Sequence, residues 1–173
     1  MWKMKNDELR LVAYLRGGAA RMGVFISTLV LLAMPTVSYA HDTFPQSCEP
    51  VVMAYAVLRD RNDANGVAEL FAEGATFKLR EDKFVGLVAI RERIAAGEGG
   101  PNFLHMMSSI HISESSPGKA SGISYAAIYT APPGPTPSSE FKLAAMGEYQ
   151  DEFVETPMGC RIKSREFVIT YQP

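Results

Sequence analysis

Hydrophobic and polar residues alternate along this chain with two different periods, and the change from one to the other divides it. In the first half the spacing is helical. Ser47 can cap a helix in which Val51, Ala54, Tyr55 and Leu58 fall at i, i+3, i+4 and i+7 on one apolar face. After the polar run 59–62, Asp63 caps a second helix with Val67, Leu70 and Phe71 inward, and Gly74 is expected to end it. Ala75 to Leu79 reads as a strand, Glu81 and Asp82 as a turn, and Phe84 to Gly86 as a short extended piece. Leu87, Ile90 and Ile94 then form the inner face of a third helix that Gly97 closes. After Gly99-Gly100-Pro101 the period falls to two. Strands are expected over 102–113, 119–131, 141–155 and 160–171, separated by Ser116-Pro117-Gly118, the proline-rich run 132–137 and Pro157-Met158-Gly159. Helices followed by a meander of strands predict an α+β domain, an antiparallel sheet with helices on one face.

The first forty residues stand apart. From Met22 to Ala40 no residue is charged, an apolar stretch follows a basic region, and Ser38-Tyr39-Ala40 places small residues at the positions a signal peptidase reads. Ser27, Thr28, Pro35, Thr36 and Ser38 dilute the run against the alternative of a membrane anchor, which needs about 20 strongly apolar residues. The expected organisation is a signal peptide over 1–40, a short arm over 41–46 and one domain over 47–173, exported to the periplasm or secreted and off the membrane once cleaved. The 173 residues contain 17 basic and 19 acidic side chains. Five basic and two acidic ones lie in the leader, so the remainder has 12 and 17, a net charge of −5. An acidic domain without a basic stripe is a poor partner for nucleic acid, whose affinity comes mostly from phosphate neutralisation. Export changes the reading of Cys48 and Cys160, the two cysteines of the chain. In an oxidising compartment they are candidates for a disulfide between the start of the domain and its last hairpin; otherwise they are two unrelated small residues.

Several short segments resemble one known family. Tyr55 through Phe77, with its aromatic start, Asp-bearing polar helix end and Leu70-Phe71-Ala72-Glu73, is similar to the opening of a SnoaL-like domain of the nuclear-transport-factor-2-like superfamily. Gly86-Leu-Val-Ala-Ile-Arg91, His105-Met-Met-Ser-Ser109, Gly147 to Phe153 and Gly159 to Arg165 resemble its third helix, its histidine-bearing strand and its final hairpin, with Cys160 where relatives usually carry Trp. The resemblance spans about residues 47 to 171. It implies a cone-shaped roll, a strongly curved mixed or antiparallel sheet with three N-terminal helices on its concave face and a pocket at the wide end.

The family's enzymes can be matched residue by residue. The ketosteroid isomerase pattern finds its tyrosine in Tyr55, but Leu79 stands at the base position and the second acid falls near Gly147, so that activity is not expected. The scytalone dehydratase pattern finds Asp60 and His105, while its second histidine falls near Thr130. Period-two alternation puts His105, Met107, Ser109 and His111 on one strand face and Leu104, Met106, Ile110 and Ile112 on the other. The first set is the expected pocket lining. His105 and Asp60 are then the candidate proton-transfer pair, with Tyr55, Met107 and Ser109 as candidate ligand contacts. His105 reads equally as a hydrogen-bonded wall residue, Asp60 as solvated surface and Tyr55 as core. The second set, too apolar for water, is the expected face of a homodimer. Two functions stay open: a binder of a small hydrophobic ligand without catalysis, or a cofactor-independent lyase, isomerase or hydrolase. With no phosphate loop, dinucleotide fingerprint or Cys/His cluster, no cofactor and no metal are implied.

Overall fold

The computed structural model describes residues 43–135 and 140–173. The expected signal peptide and the first residues of the arm lie outside the described residues. Helix α1 runs Phe44–Asp60, α2 Ala64–Glu69 and α3 Gly86–Ala95; the strands are β1 Phe71–Leu79, β2 Asp82–Val85, β3 Asn102–Ser116, β4 Lys119–Ala131, β5 Lys142–Thr156 and β6 Gly159–Tyr171. They form one six-stranded sheet in the order β2-β1-β6-β5-β4-β3. All pairings are antiparallel except β1 with β6, so the sheet is mixed. The helices cover one face, giving an open α+β roll with its core between helices and sheet.

Four details of the first half differ from the pattern read in the sequence. α1 starts at Phe44, ahead of Ser47, because Thr43 and Gln46 make a capping box and Pro45 occupies the first turn, where its missing N–H costs nothing. Its buried stripe is Cys48, Val52, Tyr55 and Arg59, rotated from the expected one, with Val51, Ala54 and Leu58 half-buried at its flank. Asp63 does cap α2, accepting from the Gly66 N–H at 2.9 Å, but that helix closes at Glu69 and Phe71 already belongs to β1. Gly74, expected to stop a helix, sits inside the strand with φ +64° where the β1–β6 register shifts. Only glycine takes that conformation without steric penalty.

The main correction concerns β3. Between Ser108 and His111 the register with β4 slips by one residue, and Ser109 has φ +50°. This is a β-bulge, and one inserted residue reverses the parity of everything beyond it. His105 and Met107 face the helices, as expected. Past the bulge it is Ile110 and Ile112 that pack on the core, whereas Ser109 and His111 are exposed. The outer face therefore lacks Ile110 and Ile112. It carries Leu104 and Met106 from β3, Ile123 and Tyr125 from β4, and Met146 from β5, all 42–56% exposed.

Cys48 and Cys160 are joined by a disulfide, with Cα atoms 5.3 Å apart and a sequence separation of 112. It fastens the first turns of α1 to the start of β6. Both sulfurs are buried in the core cluster. In the chain-entropy treatment a loop of this length stabilises the fold by about 4–5 kcal/mol.

Candidate functional site

A cavity of about 390 Å³ opens between the helices and the sheet. Its deep wall is aromatic and aliphatic: Tyr55 from α1, Phe77 from β1, Ile128 from β4, Tyr149 from β5, Phe167 and Ile169 from β6. Polar side chains make up the rest of the lining: His105, Thr130, Arg59, Arg80, Asp82, Arg93 and Gln172. A concave apolar wall with polar groups converging beside it is the usual form of a small-molecule site.

α1 and β3 together set the chemistry at the wall. α1 ends at Asp60, and its last turn lies against β3 so that the carboxylate reaches His105. Asp60 Oδ2 accepts from the backbone N–H of His105 at 2.9 Å, and Oδ1 lies 2.5 Å from the ring Nδ1. A carboxylate can only accept, so in the neutral form of the ring it selects the tautomer with the proton on Nδ1 and the lone pair on Nε2. The His105 side chain is 5% exposed and lines the cavity; Asp60, at 19%, stands behind it. One carboxylate oxygen thus holds the ring and the other the backbone of the same residue, which fixes where the ring meets the cavity. Tyr55 meets it edge-on at 6.4 Å between centroids.

Beneath this pair lies a charge whose pairing strand register suggests but whose burial it does not. Arg165 on β6 is fully buried and makes two parallel hydrogen bonds of 2.7 Å to Asp151 on β5, itself buried. The pair is not the exposed surface bridge that strand register alone would allow. Its guanidinium also stacks on Tyr55 and Tyr149, at 4.1 and 4.6 Å from the ring centroids. Burial by itself would lower the Arg165 pKa, but the Asp151 carboxylate and its hydrogen bonds outweigh that and hold it above its ordinary value. Burial drives the phenols of Tyr55 and Tyr149 upward, Tyr149 strongly, with Arg165 opposing in both. Both rings therefore face the cavity as neutral phenols. Ser124 Oγ and Arg165 Nη1 are buried without a hydrogen-bond partner. The ring faces against the guanidinium compensate part of the cost of the latter.

The structure thus brings together Tyr55, Asp60 and His105. Met107 packs on the core without lining the cavity, and Ser109 is outside it at the bulge. Leu79 and Thr130, where relatives would supply a base and a second histidine, do line the cavity. Gly147 could not be an acid here: a Cβ at this position would lie 2.1 Å from the Val168 carbonyl oxygen. Arg59 was legible only as part of a polar helix end. Its position four residues after Tyr55, on the stripe through Cys48 and Val52, is the signal that it turns inward. Among the described residues no group of three or more His, Cys, Asp or Glu side chains is placed to hold a metal ion.

A SnoaL-like domain profile matches residues 46–166, well over half of the chain. The protein belongs to the SnoaL-like family. Solved structures share the fold of this SnoaL-like protein. One is a Mycobacterium tuberculosis protein of unknown function, 22% identical, with TM-score 0.64 over 71% of this chain and 69% of that one. Another is a candidate scytalone dehydratase from Novosphingobium aromaticivorans, 21% identical, with TM-score 0.64 over 74% and 85%. A third, from the same organism, is an NTF2-like protein with a cystatin-like fold, 18% identical, with TM-score 0.61 over 73% and 82%. No curated protein matches the sequence. At these identities the likeness is one of fold, and function has to be argued from the site.

Proposed function

We propose that this SnoaL-like domain binds a small, largely apolar molecule in its cone and acts on it as a cofactor-independent lyase or isomerase, with His105 as the proton-transfer group. The observation that carries this reading is the Asp60–His105 pair at the cavity wall. Nε2 takes a proton from a carbon next to an activating group, and the freed electron pair forms a double bond. The same proton then returns to a neighbouring atom in an isomerisation, or leaves with a departing hydroxyl as water in a dehydration. Asp60 steadies the imidazolium between the two steps. A candidate dehydratase of the same fold is consistent with such chemistry.

Binding without catalysis is the second reading. It is favoured by Leu79 and Thr130, which put an alkyl chain and a hydroxyl where related enzymes hold further acid–base groups. His105→Gln separates the two. On any compound that the wild type turns over, the variant should fold normally, still bind, and lose about 10²–10⁴-fold in rate. An unchanged rate sinks the proton-transfer reading, and so does loss of the fold. A screen yielding ligands but no turnover would favour the binder.

We propose further that the domain is exported and works as a homodimer through the outer sheet face. Export is supported by the leader's composition together with the Cys48–Cys160 disulfide, a bond that persists in oxidising compartments. The mass of the protein recovered from its producing cells should place its first residue near His41; a retained leader would overturn this. The dimer is supported by the apolar outer side chains of β3, β4 and β5.

A further inference from the structure

The charges around the cavity do not resemble those of the domain. Outside the leader the chain is acidic, yet the cavity is lined by Arg59, Arg80 and Arg93 against one carboxylate, Asp82, apart from the paired His105. Among the described residues none of these arginines is in an ion pair: the ion pairs there join Lys78 to Glu166 and Arg165 to Asp151, and the Asp60 carboxylate is taken up by His105. Arg80 bonds only the neutral amide of Gln172, at 3.2 Å, and Arg93 lies over the Phe84 ring at 5.8 Å.

Arg59 is the telling member because it is 8% exposed. Its guanidinium lies on the Phe103 ring, 4.5 Å from the centroid. Its one hydrogen bond is a 3.5 Å contact from Nη1 to Asn62 Oδ1. Even that bond depends on the orientation of the Asn62 amide. Turned over, the amide donates to the Ile94 carbonyl at 2.9 Å and accepts from the Glu98 N–H at 3.2 Å, which presents its NH2 to Arg59. A guanidinium has five N–H donors, and taking it out of water without a carboxylate is costly. The Asp151–Arg165 pair shows how this fold treats a buried arginine that serves structure: it receives a bidentate carboxylate. Arg59 receives none and borders the cavity instead.

We propose that the ligand is an amphipathic anion: a small molecule with an aromatic or alicyclic body in the apolar depth of the cone and a carboxylate held by Arg59, Arg80 and Arg93. The planar fork of arginine fits a carboxylate with two parallel bonds, and the low-dielectric wall strengthens the attraction. Bound this way, the molecule is fixed at its charged end while its body lies along His105 and the tyrosines. The inference rests on the reading of the cavity as the ligand site and narrows the ligand from any apolar molecule to organic acids.

The test compares matched acids and amides on the full-length, oxidised protein by titration calorimetry: benzoate with benzamide, cyclohexanecarboxylate with its amide, and 2-naphthoate with 2-naphthamide. In at least one pair the acid should bind about tenfold or more tightly than the amide, the scale of a charge-assisted hydrogen bond. That preference should collapse in Arg59→Gln and shrink in the Arg80→Gln/Arg93→Gln double variant, whose half-exposed and exposed sites leave the core intact. Amides that bind as well as acids overturn the inference while leaving the cavity as the ligand site. An acid preference that survives both variants places the anion elsewhere and also overturns it. Failure of every acid and every amide to bind overturns it together with the cavity reading.

Discussion

Tyr149 is the residue at which the electrostatics of the site become measurable. Its phenol is held well above its ordinary value of 10.0 chiefly by burial, and that of Tyr55 is raised for the same reason. A raised phenol pKa means that above the ordinary value the unfolded chain loses protons which the folded one keeps. Their contribution to stability is therefore complete below about pH 10 and is lost as pH climbs through the raised folded values. Denaturant midpoints should stay level from pH 7 to 9 and fall above pH 10, and Tyr149→Phe should flatten part of that fall. A wild-type midpoint that is flat to pH 11.5 would show that these rings ionise normally. At this scale the sequence spoke unevenly. Asp60 and His105 were visible because they fit the scytalone dehydratase pattern, and Asp151 and Arg165 could be paired from strand register. What separates a buried bidentate pair from a solvated one is the depth of the sheet behind it, and that depends on α1, which no local pattern around either residue encodes.

At the scale of the element, irregularities in the strands decide which side chains reach the cavity. The bulge at Ser109 shifts the parity of β3, so that Ile110 and Ile112 reach the core in place of Ser109 and His111. Strict alternation could not have located it, since nothing in Ser108-Ser109-Ile110 marks an extra residue by composition. Helix existence was legible from apolar spacing, and helix ends were less so: the Thr43–Gln46 capping box competes with the Ser47 signal, and the Gly74 kink belongs to the pairing of β1 with the distant β6. β5 shows the same control by irregularity. Its register with β6 shifts between Met146 and Gly147, and the Val168 carbonyl comes so close that no side chain fits at Gly147. Gly147→Ala must push β6 away from β5 under the cavity wall formed by Tyr149 and Phe167. The expected cost is about 2–4 kcal/mol, as for overpacking joined to broken ladder bonds, read as a lowered denaturant midpoint with unchanged slope. A loss below about 0.5 kcal/mol would mean that the two strands separate freely there.

For the whole molecule, the proposed dimer is the property most open to measurement. Leu104, Met106, Ile123, Tyr125 and Met146 form an exposed apolar area across three adjacent strands, of the kind that marks an interaction surface. Met106→Glu combined with Tyr125→Glu should leave the monomer folded and convert a dimer into a monomer in sedimentation velocity at micromolar concentration. A wild type that already sediments as a monomer there removes the reading. The outline of the molecule, helices first and a meander after, was legible from periodicity; the parallel partnership of β1 with β6 was not, because it joins segments far apart. That pairing has a consequence in time. Thr76 and Ser164 touch across 88 residues of chain, so β1 leaves the ribosome without the neighbour it needs. At ~5–20 residues per second it waits roughly 4–18 s, with only β2 beside it and a bare edge exposed. The meander β3–β6 can assemble as it emerges, whereas the helical half must be captured afterwards by the last strand to be made. An early stop codon would thus damage the beginning of this protein as much as its end.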